Sequence, residues 1–194
     1  MKNIRLTVWI GIMCGWLAAG MLQAGTRPDN ARPAEEDGSR LWLPVMRPVE
    51  GAEVEVIYKG KVSPTIAVAI AELKNAWKGE PVLLEKKRTG QGDGFAITSS
   101  EHQVRILSST EAGLLYGVYS LLRMQAAGQV TVPLSVTEQS VYDLRILNHW
   151  DNLDGTVERG YAGCSLWNWE ELPGTLSPRY EAYARANASV GING

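Results

Sequence analysis

The chain is 194 residues long, with 45% hydrophobic and 21% charged residues and a net charge of −2. That length fits one full domain with part of a second, and the composition excludes the disordered class. The near balance of 19 basic and 21 acidic residues argues against a nucleic-acid binder, which would carry a basic excess. Seven Trp and seven Tyr beside one Phe are a more telling bias. Both rings join an apolar body to a polar tip, as sugar-stacking and interface surfaces require, although burial in a core is the commoner fate of a Trp.

Lys2 and Arg5 precede an apolar run over residues 6–22 that ends at Leu22-Gln23-Ala24. This is the pattern of a secretory signal peptide over 1–24, and it predicts export to the periplasm or the exterior. A membrane anchor is the competing reading. Gly11, Gly15, Gly20 and the small residue at 24 favour cleavage, after which no stable membrane insertion is expected. Cleavage removes Cys14 and leaves 17 basic against 21 acidic residues, with Cys164 as the remaining thiol. One Cys makes neither an intrachain disulfide nor a Cys-based zinc site, and with two His beside it a metal site has little support. Residues 25–40, rich in Pro and charge without an apolar period, read as a flexible linker.

Order is expected from Leu41-Trp42-Leu43. Val54, Val56 and Tyr58 alternate with Glu53, Glu55 and Ile57, which predicts a strand. Ser63-Pro64 is a helix start, a serine cap followed by a proline whose absent N–H costs nothing in the first turn. Ile66, Ile70, Leu73 and Trp77 then share one face, and Gly79 ends the helix. Strands are predicted at Val82–Lys86, 95–98 and Val104–Ser108, with a Gly-rich turn at 90–94. That turn lacks the following helix of a phosphate cradle. Ser109 or Thr110 caps a second helix that buries Leu114, Val118, Leu121 and Leu122 and stops at Gly128. Residues 130–136 read as a strand which Pro133 confines to a sheet edge. Together, residues 41–138 predict an α+β domain.

From residue 139 the texture changes. Residues 142–149 contain Leu144-Arg145-Ile146-Leu147, a compact buried-strand candidate. A long loop over 150–175 follows, and Ser177-Pro178 opens a helix through Tyr180, Tyr183, Ala184 and Asn187 to Gly191. Strand, loop and helix make one βα unit, whereas a (β/α)8 TIM barrel needs eight. Residues 139–194 are therefore expected to be the start of a truncated barrel.

The densest chemistry is the run NHWDNLDGTVERGYAG, residues 148–163, at the C-terminal end of the predicted barrel strand, where such barrels build their sites. Trp150 can stack on a pyranose, Asp151 and Asn152 can bond hydroxyls, and Arg159 can pair with a carboxylate. A well-capped loop whose Asn, Asp and Gly serve turn geometry explains the same residues. Asp151, Asp154 and Glu158 invite a two-carboxylate reading that their spacing does not support. His149 has no nucleophile beside it and reads as a hydrogen-bonded loop residue, and His102 as a solvated turn residue. Trp167-Asn168-Trp169 reads either as part of a sugar platform or as the packing of its own loop.

The 148–163 run resembles the opening of the catalytic barrel in the α-glucuronidases of glycoside hydrolase family 67. EAGLLYGVYSLLRMQAAG, 111–128, looks like the last helix of the small domain before that barrel, a domain also found before β-hexosaminidase barrels. ARANASVGING, 184–194, looks like the first barrel helix and its lead into the second strand. The resemblance implies an inverting, xylan-degrading hydrolase that removes α-1,2-linked glucuronic or 4-O-methylglucuronic acid from xylo-oligosaccharides and needs no metal or organic cofactor. It implies catalytic carboxylates on later strands, so no catalytic residue is assigned in these 194 residues, and the chain alone is expected to be inactive. It implies Trp150 as the ring-stacking residue, with His149, Asp151, Asn152 and Arg159 as substrate contacts. Partners would be glucuronoxylan oligosaccharides, with no nucleic acid, and any homodimer would form through C-terminal regions that these residues do not include. The competing class is a non-catalytic carbohydrate-binding or domain-interaction module using Trp150, Trp167 and Trp169. A relative acting on hexosaminides is a third reading, resting on the small domain alone.

Overall fold

The computed structural model describes residue 43 and residues 54–88 and 92–194. The predicted signal peptide, the linker, the start of order at Leu41-Trp42 and the first half of the Gly-rich turn lie outside the described residues. Leu41–Gly194 forms one compact unit. Its order is β1 (Val56–Tyr58), α1 (Pro64–Ala76), β2 (Val82–Lys86), β3 (Phe95–Ser99), β4 (Val104–Ser108), α2 (Glu111–Ala126), β5 (Ser135–Glu138) and α3 (Pro178–Ser189). This is the predicted α+β architecture.

The five strands form one mixed sheet in the order β1-β2-β4-β3-β5. β1, β2 and β4 run parallel, and β3 pairs antiparallel with β4 and β5. The parallel neighbours are the strands linked across α1 or across the β3 hairpin, as a crossover requires. Val82, Leu84, Phe95, Ile97, Val104 and Ile106 alternate onto one face, where α1 and α2 cover them. Leu114, Val118, Leu121 and Leu122 of α2 are fully buried, as their helical spacing predicts.

Capping residues set the helix starts. Ser63 Oγ accepts from the Ile66 amide and also donates to Glu111 in the first turn of α2 at 2.5 Å, tying the two helix N-termini together. Thr110 caps α2 through the Gly113 amide. With Ser63 and Lys86 bonded to it, Glu111 is held below the usual carboxylate range. Gly128, at φ +65°, ends α2 in the left-handed conformation that glycine adopts without strain.

Two predicted strands differ. The last strand of the sheet begins at Ser135 instead of 130, because Pro133 has no N–H and the ladder to β3 starts only beyond it. Leu134 opens the pairing through Ser99, and β5 takes the edge position. Residues 142–149 form no strand, and Leu144 and Ile146 are 68% and 56% exposed instead of buried. A strand is defined by its neighbours, and the described residues supply only a beginning of one. The Asn193 and Gly194 amides both donate to the Arg145 carbonyl, and Asn193 Oδ1 accepts from the Arg145 amide. The chain thus leaves along 144–149, returns through α3 and starts to lie beside 145 again.

Arginines fasten this segment to the α+β layer. Arg185 of α3 bonds Glu72 of α1 through both carboxylate oxygens, at 2.5 and 2.9 Å, and donates to the Leu43 carbonyl. Arg123 of α2 donates to the Ser189 carbonyl. Arg145 pairs with Asp93 at 2.5 Å, donates to the Gly191 and Tyr142 carbonyls and lies over the Tyr116 ring.

Two changes test this packing. A Cβ on Gly117 would stand 2.5 Å from the buried Cγ2 of Ile106 and 3.3 Å from the Phe95 ring. Gly117→Ala is therefore expected to lower stability by about 1–3 kcal/mol, as overpacking does, in urea unfolding followed by circular dichroism. A gain in stability, as for an exposed helical glycine, would reject the close approach of α2 to the sheet. Arg185→Ala is expected to cost about 1.5–3 kcal/mol, the range for charged hydrogen bonds, and to raise amide exchange in α3 without raising it in β2 to β4. Uniform exchange across both regions would show that α3 is not held by this residue.

Candidate functional site

The site lies in the loop between residue 148 and α3, which is built from turns and two isolated bridges, Asp151 to Val157 and Thr156 to Cys164. Asn152 organises it. Its side-chain amide donates to Thr156 Oγ1 at 2.8 Å and to the Glu158 carbonyl at 2.6 Å. The Glu158 amide donates back to the Trp150 carbonyl at 2.8 Å, and Glu158 adopts φ +56°. A non-glycine residue in the left-handed region costs about 1–3 kcal/mol and persists only where its surroundings hold it, as Asn152 does here.

Asp154 accepts from the Thr156 amide and hydroxyl at 2.9 and 2.7 Å, which holds its carboxyl below the usual range. This is a turn-forming role, the plainer of the two read from sequence. Asp151 is different. Its side chain is only 8% exposed, and His149 Nδ1 lies 3.3 Å from its Oδ2. Buried Oδ2 nevertheless has no hydrogen-bond partner. Buried polar atoms left in this state usually await a water or ligand.

Trp150 is 64% exposed and borders two cavities. One, of about 350 Å³, is lined by Asn148, His149, Asp151, Val157, Glu158 and Leu166 among others. The other, of about 570 Å³, is lined by Trp150, Asp151, Asn152, Glu158, Arg159 and Tyr161. The phenol of Tyr161, hydrogen-bonded to Glu158, titrates above its usual value. The arrangement offers an aromatic face, a buried acceptor and a cation within one open pocket, a combination suited to a polyhydroxylated ring bearing negative charge.

All five residues singled out from sequence thus come together, but in unequal roles. Trp150, Asp151 and Arg159 face the open pocket. The amide hydrogens of Asn152 are engaged inside the loop, so its main work is structural. His149 is held from behind, with Nε2 2.6 Å from the Tyr183 hydroxyl. Trp167 stacks on Tyr180, with centroids 5.2 Å apart, and meets His149 and Tyr183 edge-on. It is loop packing and not part of an exposed platform with Trp150, although Trp169 is 52% exposed. His102 is exposed in a turn, as its sequence suggests.

Sequence spacing missed Tyr183, the Glu158 conformation and the Arg145 clasp. Tyr180 and Tyr183 stand three apart on one helix, so their shared face was readable; what that face meets, 34 residues back in the chain, was not. Among the described residues no group of three or more His, Cys, Asp and Glu is placed to hold a metal ion.

Residues 124–194 match the model of the glycosyl hydrolase family 67 middle domain. The chain is 40% identical over 103 residues to a probable alpha-glucuronidase A of Aspergillus clavatus and 42% identical over 103 residues to that of Neosartorya fischeri. It is 38% identical over 101 residues to the alpha-glucuronidase A of Aspergillus tubingensis. The aligned part is 52–53% of this chain and 12% of each relative, so the match spans about an eighth of their length. Among solved structures, a GH138 enzyme targeting pectin rhamnogalacturonan II matches with a TM-score of 0.42 and 17% identity, over 48% of this chain and 16% of that one. At that score the structural match adds nothing to the assignment. Residues 124–194 are therefore similar to the glycosyl hydrolase family 67 middle domain, and about half of the chain is similar to part of the alpha-glucuronidases named above.

Proposed function

We propose that these residues contribute the α+β domain and the first βα unit of a (β/α)8 barrel to an α-glucuronidase that removes glucuronic or 4-O-methylglucuronic acid from xylo-oligosaccharides. The observation that carries the reading is the family match over 124–194, which includes the whole candidate site. The return of residues 193–194 to the Arg145 backbone, as a second parallel barrel strand would return, supports the barrel. In this reading Trp150 stacks on the uronic ring, Asp151 Oδ2 accepts a ring hydroxyl and Arg159 faces the carboxylate. An inverting mechanism needs one carboxylic acid to protonate the leaving oxygen and a second carboxylate to activate water. Asp154 is bound in its turn and Asp151 is enclosed, and the family resemblance implies that both catalytic carboxylates lie on later barrel strands. The α+β domain positions the first strand and has no part in the chemistry. Export through the leader read in residues 1–24 belongs to the same proposal, and the mass of the mature N-terminus tests it.

The 194-residue chain is expected to bind free glucuronic acid weakly, read as a change in Trp fluorescence. Trp150→Ala should weaken binding by about tenfold, the scale of roughly 1–1.5 kcal/mol for an aromatic contact. The same chain should release no glucuronic acid from aldouronic oligosaccharides. Release by this chain would overturn the assignment of the catalytic carboxylates to later strands. Unchanged binding in Trp150→Ala would remove Trp150 from the pocket.

A further inference from the structure

The imidazole of His149 lies between two groups that constrain its proton. On one side the Tyr183 hydroxyl is 2.6 Å from Nε2. On the other, Asp151 Oδ2 is 3.3 Å from Nδ1, buried and without a hydrogen-bond partner. The edges of Trp167 and Tyr183 pack against the ring, with centroids 5.7 and 5.5 Å away, and limit its rotation.

A neutral imidazole carries one proton, and the nitrogen without it presents a lone pair. With the proton on Nε2, the Nδ1 lone pair would face a carboxylate oxygen at 3.3 Å, negative against negative in a partly dehydrated setting. With the proton on Nδ1, the N–H dipole points toward the carboxylate, and Nε2 accepts from a hydroxyl. Tyr183 is the hydroxyl at that distance. The second arrangement gives Nε2 a donor and removes the opposition at Nδ1, leaving Oδ2 with a free acceptor site; the first sets two negative groups against each other.

We propose that Tyr183 is a positioning residue of this site: its hydroxyl donates to His149 Nε2 and holds the imidazole as the Nδ1–H tautomer facing Asp151. The carboxylate is thereby held in place beside Trp150, with Oδ2 open to accept a hydroxyl from a ligand in the adjoining cavities. The tautomer follows from geometry alone; the nature of the ligand rests on the sugar-binding reading above.

The chain has two histidines, so both are resolvable in long-range proton–nitrogen spectra of the 15N-labelled full chain, with His149 assigned by the loss of the other signal in His102→Gln. Spectra are taken at about pH 8.5, above the ordinary imidazole range. The expected result is Nδ1–H for His149 in the wild type and a mixture with Nε2–H in Tyr183→Phe, which keeps the ring packing and loses the donor. Asp151→Asn should shift the balance independently, and it covers the case in which Tyr183→Phe fails to fold. Nε2–H in the wild type, or an unaltered tautomer in both variants, overturns the proposal. A titration with free glucuronic acid then separates the two readings: Tyr183→Phe should weaken binding roughly 2- to 10-fold, the scale of one neutral hydrogen bond. Equal binding in wild type and Tyr183→Phe, despite a changed tautomer, overturns the positioning role. A responsive tautomer with no sugar binding in any form leaves the role of Tyr183 standing and rejects the sugar.

Discussion

The guanidinium of Arg145 meets Asp93 from the sheet layer, the ring of Tyr116 on α2, and the carbonyls of Tyr142 and Gly191, while its backbone meets Asn193 and Gly194. Its position is therefore decided by four separate stretches of chain. Residues 142–149 carry the candidate site at their far end, and they have no ladder of their own to hold them. Arg145 ties this segment to the sheet layer, and the His149–Tyr183 contact ties its far end to α3. Arginine suits this work because its planar fork reaches several acceptors at once and does not lose its charge.

The charged pairs in the chain differ in weight. Lys86 with Glu111 and Arg105 with Glu85 lie largely in solvent, where such pairs contribute about 0–1 kcal/mol. Arg185 and Glu72 are about 15% exposed, form two hydrogen bonds and sit against Tyr119, whose phenol is driven far above its ordinary pKa chiefly by burial. There, removing one partner leaves the other charge enclosed and unmatched. The seam between α3 and the helices α1 and α2 is thus polar and paired, which is why the junction cavity of about 470 Å³, lined by Arg145, Asp93, Arg123 and Glu138 among others, reads as an interface and not as a binding site.

The apolar residues of 142–149 have the opposite character. Leu144, Ile146 and Leu147 face solvent along an extended backbone whose hydrogen-bonding groups are barely paired. In the barrel reading these are the side chains of a first strand whose sheet neighbours come from later in the fold. Sequence alone marked them as a buried strand because hydrophobicity reports what a segment is suited to contact. It carries no information on whether that contact is made.

Local chemistry was enough for the α+β layer. Ser63-Pro64 and Thr110 mark helix starts, Gly128 an end, and the alternation in Val82–Lys86 and Val104–Ser108 a half-buried strand, because capping, φ restriction and side-chain period act within a few residues. Pro133 likewise sets where β5 can begin. The site was legible as composition, in the gathering of Trp150, Asp151, Asn152 and Arg159, and the resemblance that this run carries agrees with the family model that matches residues 124–194. Tertiary structure alone decided which of them faces a cavity and which is engaged within the loop. It also decided that Tyr183 stands behind His149, that Trp167 packs inward, and that three arginines bind the two layers together. The Tyr183 contact and the arginine pairs join residues 34 to 113 apart in the chain, and no local preference encodes a distance between segments whose relative placement is set by packing.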